Sequence, residues 1–436
     1  MTSALDEANW PRTQKREYAA SWILLVAISL YSASLMKFFV RDPLSADPGL
    51  QGPIELALLI LAGITLLLAF HRRYLGLFLT PSAKAFLVFG GLAIASSIFS
   101  YDRSLSFARG VMFILVCCIA IGACNAFTPQ QVIKYLYYSV FLIVIAGLAI
   151  RIASHVPLLE TDDYSRRARL SIFALDPGSL ADLCAVVLLS SFFLSKRPAV
   201  YCQLFFLAIS IATSSRASTA LLVLALVVLG LTLGRLTPRV LLLCGLLGAV
   251  LTLAIWIAPS DPNSPASTIA SLGQNIYGDK LHEDLPTLNG RTEVWHVAGP
   301  LILRSMFFGF GLDGVRNILL SHTSWPAGHA HNAMLDLILA AGVPATLVFL
   351  VGWGGSIGRA LHCRRTIRIK ALVLYSYMAA FGITEANLTL LQFLAVFLII
   401  TVDSILCVEC LPQADSARAL RIQLPQHAER RCDERA

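Results

Sequence analysis

Residues 110–126 read Gly110-Val-Met-Phe-Ile-Leu-Val-Cys-Cys-Ile-Ala-Ile-Gly-Ala-Cys-Asn-Ala126, without a charged side chain. A turn-forming Thr128-Pro129 follows, and a second apolar run fills 132–151. A bilayer core of about 30 Å is crossed by roughly 17–25 apolar residues in a helix. Only helices and closed barrels can satisfy their own backbone in lipid, so the pair predicts a helical hairpin through a membrane. Further runs of the same kind occupy 22–40, 53–70, 84–99, 178–195, 200–213, 217–234, 240–258, 332–357, 369–384 and 386–407. The expected fold is therefore an all-α polytopic membrane protein of about 12 transmembrane helices. Its shortest spans (84–99, 200–213 and 369–384) are expected to be shifted, tilted or broken.

Composition points the same way. The chain has 436 residues, of which 57% are hydrophobic and 14% charged, with a mean hydropathy of +0.72. A soluble domain has about 45–50% apolar and about 25% charged residues. Soluble enzymes, disordered chains, coiled coils and disulfide-stapled secreted domains are excluded. Residues 1–436 are read as one integral membrane domain, with no soluble domain of nucleotide-binding size. A cleaved signal peptide over residues 1–34 is disfavoured by its long polar lead and overlong apolar run.

Lys and Arg sort the connections into two sets. One holds Arg12, Lys15, Arg16, Arg72, Arg73, Lys84, Lys134, Lys196, Arg197, Arg235 and Arg239. It continues with Arg359, Arg364, Arg365, Arg368, Lys370 and the basic residues of the C-terminal segment. Both termini are thus expected in the cytoplasm, with 408–436 as a cytoplasmic tail. The net charge of +8 is largely this bias and is no argument for nucleic acid. None of the ten cysteines lies in a predicted outer loop, so no disulfide framework is expected. Cys407-Val-Glu-Cys410 is a lone pair without further metal ligands.

One large outer loop, 259–331, separates two spans. It opens on the turn-rich Ser260-Asp-Pro-Asn-Ser-Pro265. Its middle is Asn289-Gly-Arg-Thr-Glu-Val-Trp295, and Val297–Phe308 is amphipathic enough for a helix at the membrane surface. A smaller outer loop, 152–177, carries Asp162, Asp163, Arg166, Arg167 and Arg169.

Three residues on this outer side suit anion chemistry. Arg216 sits in Thr213-Ser-Ser-Arg-Ala-Ser218 between two apolar runs. An arginine near hydrocarbon normally pairs with something, so it is either an anion site or a turn residue reaching headgroups. Arg291 follows the turn signal Asn289-Gly290. Its forked donors match phosphate oxygens, and a surface ion pair with Glu293 or Asp284 is the plain alternative. His331 lies in His329-Ala-His331-Asn332, where the chain re-enters the membrane. Imidazole titrates near neutrality and is a natural general base. Asn332 and Asp336, four apart on one helical face, could orient it. His282, His296, His322, His329 and His331 raise a metal alternative, but the pattern lacks ligand spacing, and no metal is expected. Gly309-Phe-Gly311-Leu-Asp-Gly314 has no preceding strand and is read as a tight turn, not a dinucleotide loop. Gly342-Val-Pro344 interrupts its run, so 332–341 is expected as a short helix, with the span starting near Pro344.

In order, Ser214-Ser-Arg216, Gly290-Arg291-Thr-Glu-Val-Trp295, Gly309-Phe-Gly311 and His331-Asn332-Ala-Met-Leu335 with Gly342 resemble the O-antigen ligase and polysaccharide polymerase superfamily. The resemblance covers roughly 165–357 and is nearest to its exopolysaccharide polymerase branch. Arg169-Leu-Ser-Ile-Phe173 departs from the family pattern, lacking its glycine and asparagine. The resemblance implies a glycosyltransferase architecture of the all-helical membrane type in a bacterial inner membrane, with a periplasmic active site. It implies catalytic roles for His331, Arg216 and Arg291, and substrate binding by Arg169, Asn332, Glu293 and Trp295. No cofactor is expected. The implied partners are an undecaprenyl-diphosphate-linked oligosaccharide, an acceptor glycan or lipid A-core, membrane lipids, and a flippase and chain-length regulator. Polymerase and ligase remain alternatives. A non-catalytic transporter would also use arginines, but it would want mid-span polar groups and repeat symmetry.

Overall fold

The computed structural model describes residues 12–36, 51–70, 79–155, 159–161, 168–170, 172, 177–194, 200–213, 215–233, 291–323, 329–384 and 390–410. The expected span 240–258, most of the large loop and most of the tail lie outside these residues. The helices are α1 (Arg12–Ser34), α2 (Gln51–Phe70), α3 (Pro81–Ser96), α4 (Arg103–Ala126), α5 (Pro129–Ala153), α6 (Pro177–Ser190), α7 (Val200–Ala212) and α8 (Arg216–Thr232). They continue with α9 (Arg291–Arg304), α10 (Gly314–Leu320), α11 (Ala333–His362), α12 (Arg365–Thr384) and α13 (Leu390–Cys410). Among the described residues, five helices are long and apolar enough to cross a membrane, and five shorter ones are apolar. The protein is a multi-pass membrane protein.

Two elements depart from the all-α expectation. Leu159–Thr161 (β1) and Ala168–Leu170 (β2) pair antiparallel in the smaller loop, with Glu160 in register with Arg169. Cys363 is disulfide-bonded, which the absence of an expected framework does not anticipate.

Local chemistry sets the helix starts. Thr128 accepts from the Gln131 amide while the Gln131 side chain accepts from the Thr128 amide, closing a capping box before α5. Asp102 caps α4 and Thr80 caps α3. Between the helices, Phe86, Phe89, Phe113 and Phe349 interlock with centroid spacings of 4.9–5.3 Å. Gly90 and Gly110 lie where an added Cβ would collide with Ile114 and Ile94, so α3 and α4 approach closely there.

Side-chain bonds sort the helix ends into two sets. At one end Arg359 holds both carboxylate oxygens of Asp403 at 2.6 and 2.7 Å and the Ser82 hydroxyl at 2.7 Å. This ties α11, α13 and α3 together. At the other end Arg109 pairs with Glu55 at 2.5 Å, joining α4 to α2. The start of α11 belongs to this second end.

α11 is two helices in sequence, as its Gly342-Val-Pro344 predicts. Gly342 has φ +80° and ψ 169°, which breaks the ladder, and Pro344 has no N–H to give. The freed groups are taken up by the Met306–Gly311 segment. Phe310 N–H donates to Leu339 O (2.6 Å), Gly311 N–H to Ala340 O (2.8 Å), and Val343 N–H to Met306 O (2.7 Å). In lipid an unsatisfied backbone group costs several kcal/mol, so a broken helix needs such a graft. Gly309 and Gly311, at φ +67° and +88°, make the tight turn that brings it there.

Candidate functional site

The site builds up around one residue, Ala330, which is held through both of its backbone polar groups. Ala330 N–H donates to Asp336 Oδ1 at 2.8 Å, and Trp295 Nε1–H donates to Ala330 O at 2.8 Å. Ala330 and Asp336 are fully buried. The next residue, His331, is held at φ +49°, a left-handed conformation that few non-glycine residues adopt. Its N–H donates to His329 Nδ1 at 3.3 Å, and the two rings lie 4.1 Å apart. That bond requires His329 Nδ1 to be unprotonated. Asn332 then caps α11, its side chain accepting from the Met334 and Leu335 amides. Asn332 thus serves the helix start. Asp336 acts on the backbone before His331, not on the imidazole as the sequence suggested.

Trp295 brings α9 to this spot. Arg291 opens α9 one turn earlier, on the same face. The Trp295–Ala330 bond therefore carries Arg291 to the neighbourhood of His331, and α9 packs directly on α11.

Arg216 opens α8. Two residues on, the fully buried Ser218 shares a 2.8 Å hydrogen bond with Tyr377 of α12. The end of α12 reaches the start of α11, since a Cβ on Gly382 would meet Ala333 at 3.3 Å. α12 thus links the helix carrying Arg216 to the one that follows His331, and Arg216, Arg291 and His331 belong to one end of the bundle. The preceding turn is tied down as well. Ser210 Oγ donates to Ala181 O, and Thr213 and Thr219 both donate to Ser210 O. Arg169 lies on β2, which packs against α7. The side chains of Arg169, Arg216 and Glu293 lie outside the described residues.

Sequence reasoning missed Tyr377 and the Asp182 carboxylate beside it. Both sit in apolar runs. A polar residue in mid-helix was the available signal.

Residues 202–350 match the family model described as O-antigen ligase. No curated protein matches the chain. The ligase match takes in Arg216, Arg291, Trp295, His331, Asn332 and Gly342. The N-terminal helices α1–α6 lie outside the ligase match and supply much of the bundle on which it packs.

Proposed function

We propose that the protein is a glycosyltransferase that transfers or polymerises an undecaprenyl-diphosphate-linked oligosaccharide on the periplasmic face of a bacterial inner membrane. The observation that carries this reading is the two-sided grip on the Ala330 backbone. It fixes the backbone of a general-base candidate beside the helix that Arg291 opens. Sidedness is supported by charge. Lys84, Lys134, Arg364, Arg365 and Arg368 occupy helix starts and turns at the end opposite His331, and basic residues favour the cytoplasmic side.

The chemistry follows from those groups. The His331 imidazole takes the proton from an acceptor hydroxyl. The acceptor oxygen attacks the anomeric carbon, and the bond from that carbon to the diphosphate breaks with its electron pair on the departing oxygen. Arg216 and Arg291 stabilise the developing charge. In-line attack inverts the anomeric centre. The carrier's diphosphate is an activated leaving group, so the step draws on no nucleotide. Arg169 at the hairpin, Glu293 and a flanking flippase and chain-length regulator complete the proposed setting.

The test is glycan profiling in a deletion strain complemented with wild type or His331→Ala. Wild type restores the product, and His331→Ala, present at wild-type level in the membrane, does not. Full restoration by His331→Ala would remove the histidine from the reaction. Single unpolymerised repeats in the deletion strain mark a polymerase, whereas full-length chains left on the carrier mark a ligase.

A further inference from the structure

The end of the bundle that holds His331 also carries an apolar apron outside the long helices. Leu303 is 77% exposed, Phe307 65% and Tyr101 80%, and Ile98, Phe99, Phe107, Met306 and Phe308 are exposed as well. Phe99 stacks on Phe308 with centroids 4.3 Å apart. The turn after α3 and the segment after α9 therefore form one surface. Contiguous apolar patches of this kind are uncommon on water-facing protein and mark an interaction site.

Three observations say what covers it. First, the apron continues a stripe of exposed apolar side chains on α3. Val88 and Leu92, one turn apart on α3, are exposed, and Ile98 and Phe99 follow in the turn that closes it. α3 is a candidate span, so that stripe faces acyl chains. Second, no acidic or basic residue falls within 305–311. Third, Arg103 beside the apron and Arg304 within it are both exposed, as side chains that reach headgroups from an interfacial depth.

We infer that the apolar side chains of Leu303 and Met306–Phe308, together with Ile98–Tyr101, are inserted among the acyl chains of the leaflet at the His331 end, with Arg304 reaching back to the headgroups, as an interfacial anchor for the large loop. The anchor is joined by backbone to the break in α11, because Val343 N–H donates to Met306 O. Insertion therefore sets the depth at which the start of α11 and His331 stand above the hydrocarbon. This inference concerns the bilayer and is independent of the catalytic reading.

The experiment places the photoreactive p-benzoylphenylalanine at position 307 of the full chain. The protein is reconstituted in phosphatidylethanolamine/phosphatidylglycerol vesicles and irradiated. The same residue at 321 is the control, since Ser321 is exposed on the polar side of the turn after α10. Several-fold more phospholipid adduct at 307 than at 321, read by mass spectrometry, is expected. Equal adduct yields, or crosslinks from 307 into the chain's own loop, would overturn the anchor. If the 307 variant inserts poorly, position 303 provides the same comparison.

Discussion

The Ala330 backbone is gripped at both its N–H and its C=O, and each grip can be removed alone. Trp295→Phe replaces the indole with a smaller aromatic ring and deletes the donor, leaving a carbonyl unpaired at a cost of about 1–3 kcal/mol. We expect transfer rate to fall by roughly tenfold or more, with the apparent affinity for lipid-linked donor and the amount of inserted protein unchanged. A binding role for Trp295 would instead raise the donor KM. Asp336→Asn retains an acceptor for the Ala330 N–H and should lose much less activity than Asp336→Leu. Equal losses would place the carboxylate's role elsewhere. Asn332→Ala removes the α11 cap and should cost about 1 kcal/mol, seen as a lower melting temperature in detergent. The residue types were legible in sequence, because an arginine at a lipid boundary and a histidine at a re-entry point are costly unless used. The grip was not. Trp295 and Ala330 are far apart along the chain, and nothing local to either says that they meet.

Among the elements, most of the apolar runs announced helices, since hydrocarbon thickness dictates length, but α1 opens at Arg12 and α4 at Arg103, ten and seven residues ahead of their runs, because polar residues and caps such as Asp102, not the apolar run, dictate starts, and the run 240–258 lies outside the described residues. The β1–β2 hairpin escaped notice because strands of three residues are too short to show alternation. The interruption at Gly342 was visible, whereas the segment that repairs it was not. Repair uses backbone groups, which every sequence carries. Two glycines give opposite expectations. Gly342→Ala forces a side chain into a left-handed position, at about 1–2 kcal/mol, with its Cβ driven into the Phe307 carbonyl. A marked loss of melting temperature and of activity should follow. Gly299, within α9, has nothing within 4 Å of an added Cβ. Gly299→Ala should be neutral or gain up to about 1 kcal/mol by helix propensity. Thermal unfolding of the two variants side by side checks both.

Across the whole molecule, the end opposite His331 is closed by a charge cluster. Asp403 is fully buried, and Arg359 pairs with it by two bonds. Arg359→Leu strands that carboxylate and should destabilise by about 3–5 kcal/mol, while Arg359→Leu combined with Asp403→Leu should recover much of the loss. Unfolding in detergent measures both, and a double variant no better than the single would show that the pair is not what closes this end. The graft at Gly342 has a different consequence for the same bundle. Phe310 and Gly311 belong to no regular element, yet their amides are spent on carbonyls of a packed helix. Peeling them away would strand several polar groups at once. In deuterium-exchange measurements these two amides and that of Val343 should therefore be as slow as the middle of a span, giving an irregular segment the stiffness of a strut.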